Sequence, residues 1–89
     1  MLYAKYVNQD AGYPCDIAKC KKYLKLNEMY EVDSITVNTY STSMYLKDFC
    51  GCWNVVNFEF YDKTEKGELI PYDIFYDNKY INLIRRNII

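Results

Sequence analysis

The run "MYEVDSITV", Met29 to Val37, constrains this chain more than any other stretch. Apolar and polar residues alternate along it and β-branched side chains are dense, which is the pattern of a strand with one face in a core. A strand of that kind is not stable alone, so the rest of the chain must supply partners. "LYAKYV" alternates in the same way, with Leu2, Ala4 and Tyr6 on one side and Tyr3, Lys5 and Val7 on the other. "SMYLKDF", "VVNFEFYD" and "LIPYDIFYD" read as three further strands, the last at an edge or a bulge because Pro71 cannot donate to a ladder.

Between the first two strands, "NQDAGYP" breaks the chain, and Asp16 caps a helix of about two turns through "IAKCKKYL". Its inner face carries Ile17, Cys20 and Leu24. "NTYST" and the Lys66-Gly67 pair are turns. The tail "NKYINLIRRNII" reads as either a last helix, with Ile81, Ile84 and Ile88 at helical spacing, or a packed extended segment. The chain of 89 residues has length for one domain, residues 1 to 89, and shows no internal repeat. The expected class is mainly β (α+β): a small, partly open barrel of five strands with one short helix.

The run "LKLNEMYEV", with "YLKDF" and "VVNFEFYD" after it, resembles the opening of SH3-like barrels. Over Leu24 to Asp62 the chain is similar to small SH3-like proteins carried by phages and other mobile elements of low-GC Gram-positive bacteria. It departs from the usual hairpin in having Asn27-Glu28 where a Gly is common. The resemblance implies action by binding, and for some phage members inhibition of host defence complexes, CRISPR-type systems among them. It implies no individual functional residue.

The side chains themselves point away from catalysis. The chain has no His, which removes the commonest general base and every imidazole metal ligand. Gly12, Gly51 and Gly67 form neither a P-loop nor a dinucleotide fingerprint. Glu59 and Asp62, three apart in a strand, fall on opposite faces, leaving only an acid–base pair between distant strands, such as Glu59 with Asp73. The expectation is therefore a non-enzymatic protein without a cofactor.

The four cysteines, Cys15, Cys20, Cys50 and Cys52, lack the paired C-x2-C spacing of a zinc ribbon and read as reduced thiols rather than a zinc site. "CGCW" reads as a corner entering a strand, with Trp53 plugging the end of the barrel. A redox pair would call for a helix after the thiols, whereas strand follows.

Charge and aromatic content supply the binding hypotheses. From Asn54 to Asp77 six carboxylates face two lysines, a net −4, and the chain holds 11 Tyr. The expected partner surface is Glu59, Asp62, Glu65, Glu68 and Asp73 with Tyr61, Tyr72 and Tyr76, meeting a basic patch on a host protein or complex. The alternative is a small nucleotide- or RNA-binding module that uses Lys19, Lys21, Lys22 and Lys25 around Tyr23. With a net charge of −1 overall, nucleic acid is the less favoured partner. There is no basic leader and no apolar run of membrane length, which reads as a protein of the bacterial host cytoplasm. An edge at "LIPYDIFYD" is compatible with a monomer or with a symmetric homodimer.

Overall fold

The computed structural model describes residues 1–87 and is organised around one long strand. In chain order the elements are β1 (Leu2–Tyr6), α1 (Pro14–Tyr23), β2 (Met29–Asn38), β3 (Thr42–Leu46) and β4 (Cys52–Asn54). A single 3-10 turn (Val55–Asn57) follows, then β5 (Phe58–Lys63), β6 (Leu69–Pro71) and β7 (Ile84–Asn87). The strand order is β4-β3-β2-β1-β5-β6, with β7 paired to β2 off that path. All pairings are antiparallel except β2 with β7, which is parallel.

β2 does the work of two strands. Its first residues, Met29 to Glu31, pair with β1, whereas Val32 to Val37 pair with β3 and Ile35 to Asn38 with β7. The register against β3 slips between Val32 and Ser34, a bulge that bends the strand from one set of partners to the other. The sequence carries this slip: buried Val32 and Ile35 are three apart, so the strict alternation read across "MYEVDSITV" fails at Asp33-Ser34. Both sets of partners pack onto one core, which includes Leu2, Ala4, Tyr6, Ile35, Met44, Trp53, Phe58 and Ile84.

Several sequence expectations are corrected. Among the described residues there are seven strands rather than five, the additional ones being the short β4 and β7. The end strands β4 and β6 do not pair with each other among the described residues, so the sheet stays open. "VVNFEFYD" begins as a 3-10 turn, with Asn54 Oδ1 accepting from Val56 N–H at 3.2 Å, and becomes strand only at Phe58. The strand expected over "LIPYDIFYD" ends at Pro71.

The tail runs through turns from Lys79 to Leu83 and is extended from Ile84 to Asn87, with no helix among its described residues. Ile84 is buried opposite Ile35, Ile81 is exposed, and Ile88 lies outside the described residues. Ile35 N–H donates to Leu83 O at 2.8 Å, so β2 takes up this backbone's bonding capacity in place of an internal helix ladder.

The helix begins earlier than expected, at Pro14, whose missing N–H costs nothing in the first turn. Asp16 is not the cap itself. It stands in the first turn and its Oδ2 accepts from Tyr13 N–H at 3.0 Å and from Asn54 Nδ2 at 3.2 Å, tying the helix start to β4. The inner face is Cys20 and Leu24, with Ile17 half-buried. Asn27, where a Gly is usual, takes φ 67°, a left-handed conformation that Asn tolerates better than most residues.

Candidate functional site

The acidic segment is built on β5, β6 and the turn that follows. Along β5, Phe58, Phe60 and Asp62 face the core while Glu59 and Tyr61 face out, and Tyr61 OH donates to Glu59 Oε2 at 2.6 Å. That bond raises the Tyr61 pKa. Glu65 and Glu68 are exposed on the turn after β5, which closes through Gly67 N–H on Thr64 O at 2.9 Å.

Asp62 and Tyr72 are not on the exposed surface that the sequence led us to expect. Asp62 is buried and accepts from Lys79 Nζ at 2.5 Å and Tyr80 OH at 2.5 Å, with the amino terminus at 3.5 Å. Lys79, then Tyr80, holds its carboxyl below the usual carboxylate range, while burial and the same carboxylate push the Tyr80 pKa up to about 12. Tyr72 is buried too: its hydroxyl donates to Asp77 O at 3.0 Å and accepts from Tyr80 N–H at 3.1 Å. Asp62 thus fastens the segment after β6 to β5, while the Tyr72 hydroxyl closes that segment on itself and the Tyr72 N–H donates to Phe60 O at 2.9 Å.

What that fastening presents is a turn from Asp73 to Asp77. Asp73 Oδ1 accepts from Phe75 N–H at 2.9 Å, and Asp77 Oδ2 accepts from Asp73 N–H at 2.9 Å. Short polar side chains bonded to backbone two to four residues away are how Asp fixes a turn. The rings between them are left outside: Phe75 is 49% exposed and Tyr76 82%. Beside them runs a groove of about 510 Å³ whose walls include Val55, Val56, Phe58, Phe60 and Phe75, with Asp73 and Asp77 at its margin. Chemically this is an apolar slot with carboxylates at the rim, suited to a side chain that is apolar along its stem and cationic at its tip. Phe75 and Asp77 are hidden in the sequence because "DIFYD" has the period of a strand, and Val56 because "VVNFEFYD" reads as strand where a 3-10 turn begins; the Asp residues four apart are the available turn signal.

The lysine cluster is divided by the fold. Lys19 donates to Cys52 O at 2.7 Å and lies 4.2 Å from the centre of the Trp53 ring, and Lys21 stands 3.9 Å from Asp10. Lys22 lies 5.2 Å over the exposed Tyr23 ring, and Lys25 is exposed. The "CGCW" corner turns at Gly51, with φ 81°, and buries Trp53 to 3% exposure under α1, against Phe49. Cys15, Cys50 and Cys52 are exposed, whereas Cys20 is buried, where burial pushes its thiol pKa up. No group of three or more metal-ligating side chains occurs among the described residues. Nor is any helix among them long and apolar enough to cross a membrane.

Residues 1–86 match the model of the family described as bacteriophage T4 protein Y07B. The chain belongs to the phage T4 Y07B family. A relative in enterobacteria phage T4, described as an uncharacterized 11.2 kDa protein in the segB-ipI intergenic region, is 33% identical over 78 residues. That match covers 84% of this chain and 81% of the relative. No solved structure matches. The Y07B family assignment bears out the expectation of a small phage protein, and its T4 member comes from an enterobacterial phage.

Proposed function

We propose that this Y07B-family protein is a non-enzymatic interaction protein. It binds a basic surface of a host protein complex through the Asp73–Asp77 turn and the adjoining groove, and thereby blocks that complex. Host defence assemblies, CRISPR-type systems included, are the proposed targets. The observation that carries this reading is the pair of exposed rings, Phe75 and Tyr76, on a turn stiffened by two aspartates beside an apolar groove. Rigid aromatic anchors beside a pocket are the usual energetic centre of an interface, because they bury area at little entropic cost. Glu59, Glu65 and Glu68 are exposed and supply long-range attraction toward a basic partner.

The test is affinity capture from host cells with wild-type protein and with the Phe75→Ser, Tyr76→Ser double variant, followed by biosensor kinetics on the captured complex. The expected result is loss of the complex in the double variant, at least tenfold in affinity. A double variant that captures the same complex with unchanged affinity contradicts the proposal.

A further inference from the structure

On the opposite side of β2 from the core, β3, β2 and β7 enclose a second cleft, of about 520 Å³. We infer that this cleft is a binding site for a small phosphorylated aromatic ligand, a nucleoside monophosphate by chemical class. It goes beyond the protein-binding reading and uses none of the same residues.

The cleft is made by the β2 bulge. With Ile35 and Val37 buried, Thr36 faces out, and the slip between Val32 and Ser34 turns Ser34 to the same outer side. Bulges commonly re-aim a side chain at a functional site. On one flank Tyr45 of β3 lies opposite Ser34, and on the other Arg85 of β7 lies opposite Thr36. The bond from Ile35 N–H to Leu83 O fixes the segment that brings Asn82 and Arg85 to the rim.

Tyr45 and Arg85 therefore stand two strand spacings apart and two residues offset along β2, a backbone separation of about 12 Å, with two hydroxyls on the floor between them. No carboxylate lines this cleft, and the Arg85 side chain makes no ion pair or hydrogen bond among the described residues. An unpaired guanidinium offers a forked set of donors that matches phosphate. Serine, threonine and asparagine donors beside it suit phosphate or ribose oxygens. The 45% exposed Tyr45 ring offers a face for a base to stack on. The volume is in the range of small-molecule sites.

The test is calorimetric titration of the full chain at low salt with the four common nucleoside monophosphates and, separately, inorganic phosphate. Saturable binding of at least one nucleotide is expected, at least tenfold tighter than inorganic phosphate. Arg85→Gln should weaken nucleotide binding at least tenfold. Tyr45→Ala should bring it down to the level of inorganic phosphate. Lys22→Gln on α1 and the Phe75→Ser, Tyr76→Ser variant should leave it unchanged, and a thermal melt confirms that each variant folds. Three results would overturn the site: no saturation up to about 1 mM, equal affinity in folded Arg85→Gln, or inorganic phosphate binding as tightly as nucleotide. Binding of a single-stranded oligonucleotide that is lost on changing Lys22 and Lys25 instead would also overturn it, by moving recognition to α1.

Discussion

Asp62 is the residue on which the site's geometry depends most. Its carboxylate is the shared acceptor of Lys79 and Tyr80, so it ties the segment that carries the Asp73–Asp77 turn back to β5. Its folded pKa lies below its unfolded value of about 3.9, so its contribution is fully present above that value and is lost as pH falls through the lower folded one. Acid melts should therefore show stability falling from about pH 5 downward, and Asp62→Asn should flatten that fall. At neutral pH the same variant should lower the melting temperature by about 5 °C or more, because hydrogen bonds to a charged group are lost. Tyr80 has the opposite sign. Its folded pKa, about 12, is above the ordinary value of about 10, so its contribution is intact below pH 10 and disappears as pH rises toward 12. Alkaline unfolding followed by tyrosinate absorbance should shift in Tyr80→Phe. An unchanged alkaline limb would mean that the hydroxyl is not held by Asp62.

At the scale of elements, the "CGCW" corner separates covalent chemistry from architecture. Gly51 has a positive φ, and a Cβ there would lie 2.9 Å from Lys19 Nζ, the movable end of a flexible side chain. Backbone conformation therefore decides the cost, and Gly51→Ala should destabilise by about 1–2 kcal/mol in a denaturant titration. Cys50 and Cys52 are exposed, so replacing both by Ser should change stability by about 0.5 kcal/mol or less, and elemental analysis should find less than one zinc per chain. Stoichiometric zinc would contradict this account of the corner. These elements also show how far the sequence could be read. β1 follows its alternation residue for residue, because one partner lies on each side of it and its register never slips. β2 was legible as a strand but not as a bent one, since the three-residue step from Val32 to Ile35 is a slight departure from alternation. The Asp73–Asp77 segment was misread because the Asp side chains take up backbone N–H groups that a strand would give to a neighbour. β7 was ambiguous because a short apolar run fits strand and helix equally, and the bond from β2 to Leu83 decides it. Of the expected partner surface, Glu59, Tyr61, Glu65, Glu68, Asp73 and Tyr76 lie outward to differing degrees, while the inward side of Asp62 follows from the strand period and the burial of Tyr72 from the path of the turn.

For the molecule as a whole, charge and shape divide the surface. The apolar groove with its exposed rings lies by β5 and the turn after β6, while Arg85 stands over a hydroxyl-lined cleft on the outer side of β2. Reversing Glu65 and Glu68 to Lys should slow association with a basic partner while leaving dissociation nearly unchanged, and added salt should slow wild type in the same way. Equal association rates for the two proteins would remove the electrostatic part of the account. The open sheet ends in β4 and β6, each three residues long, and such short edges offer little backbone for strand addition. The proposed recognition accordingly uses side chains at the groove rather than an exposed ladder. Hydrogen–deuterium exchange on the complex captured from host cells tests this most directly. The account predicts that bound partner slows exchange at Val55–Val56 and across residues 72–77, with α1 unchanged. Protection confined to α1, with the turn exchanging as in the free protein, would contradict it.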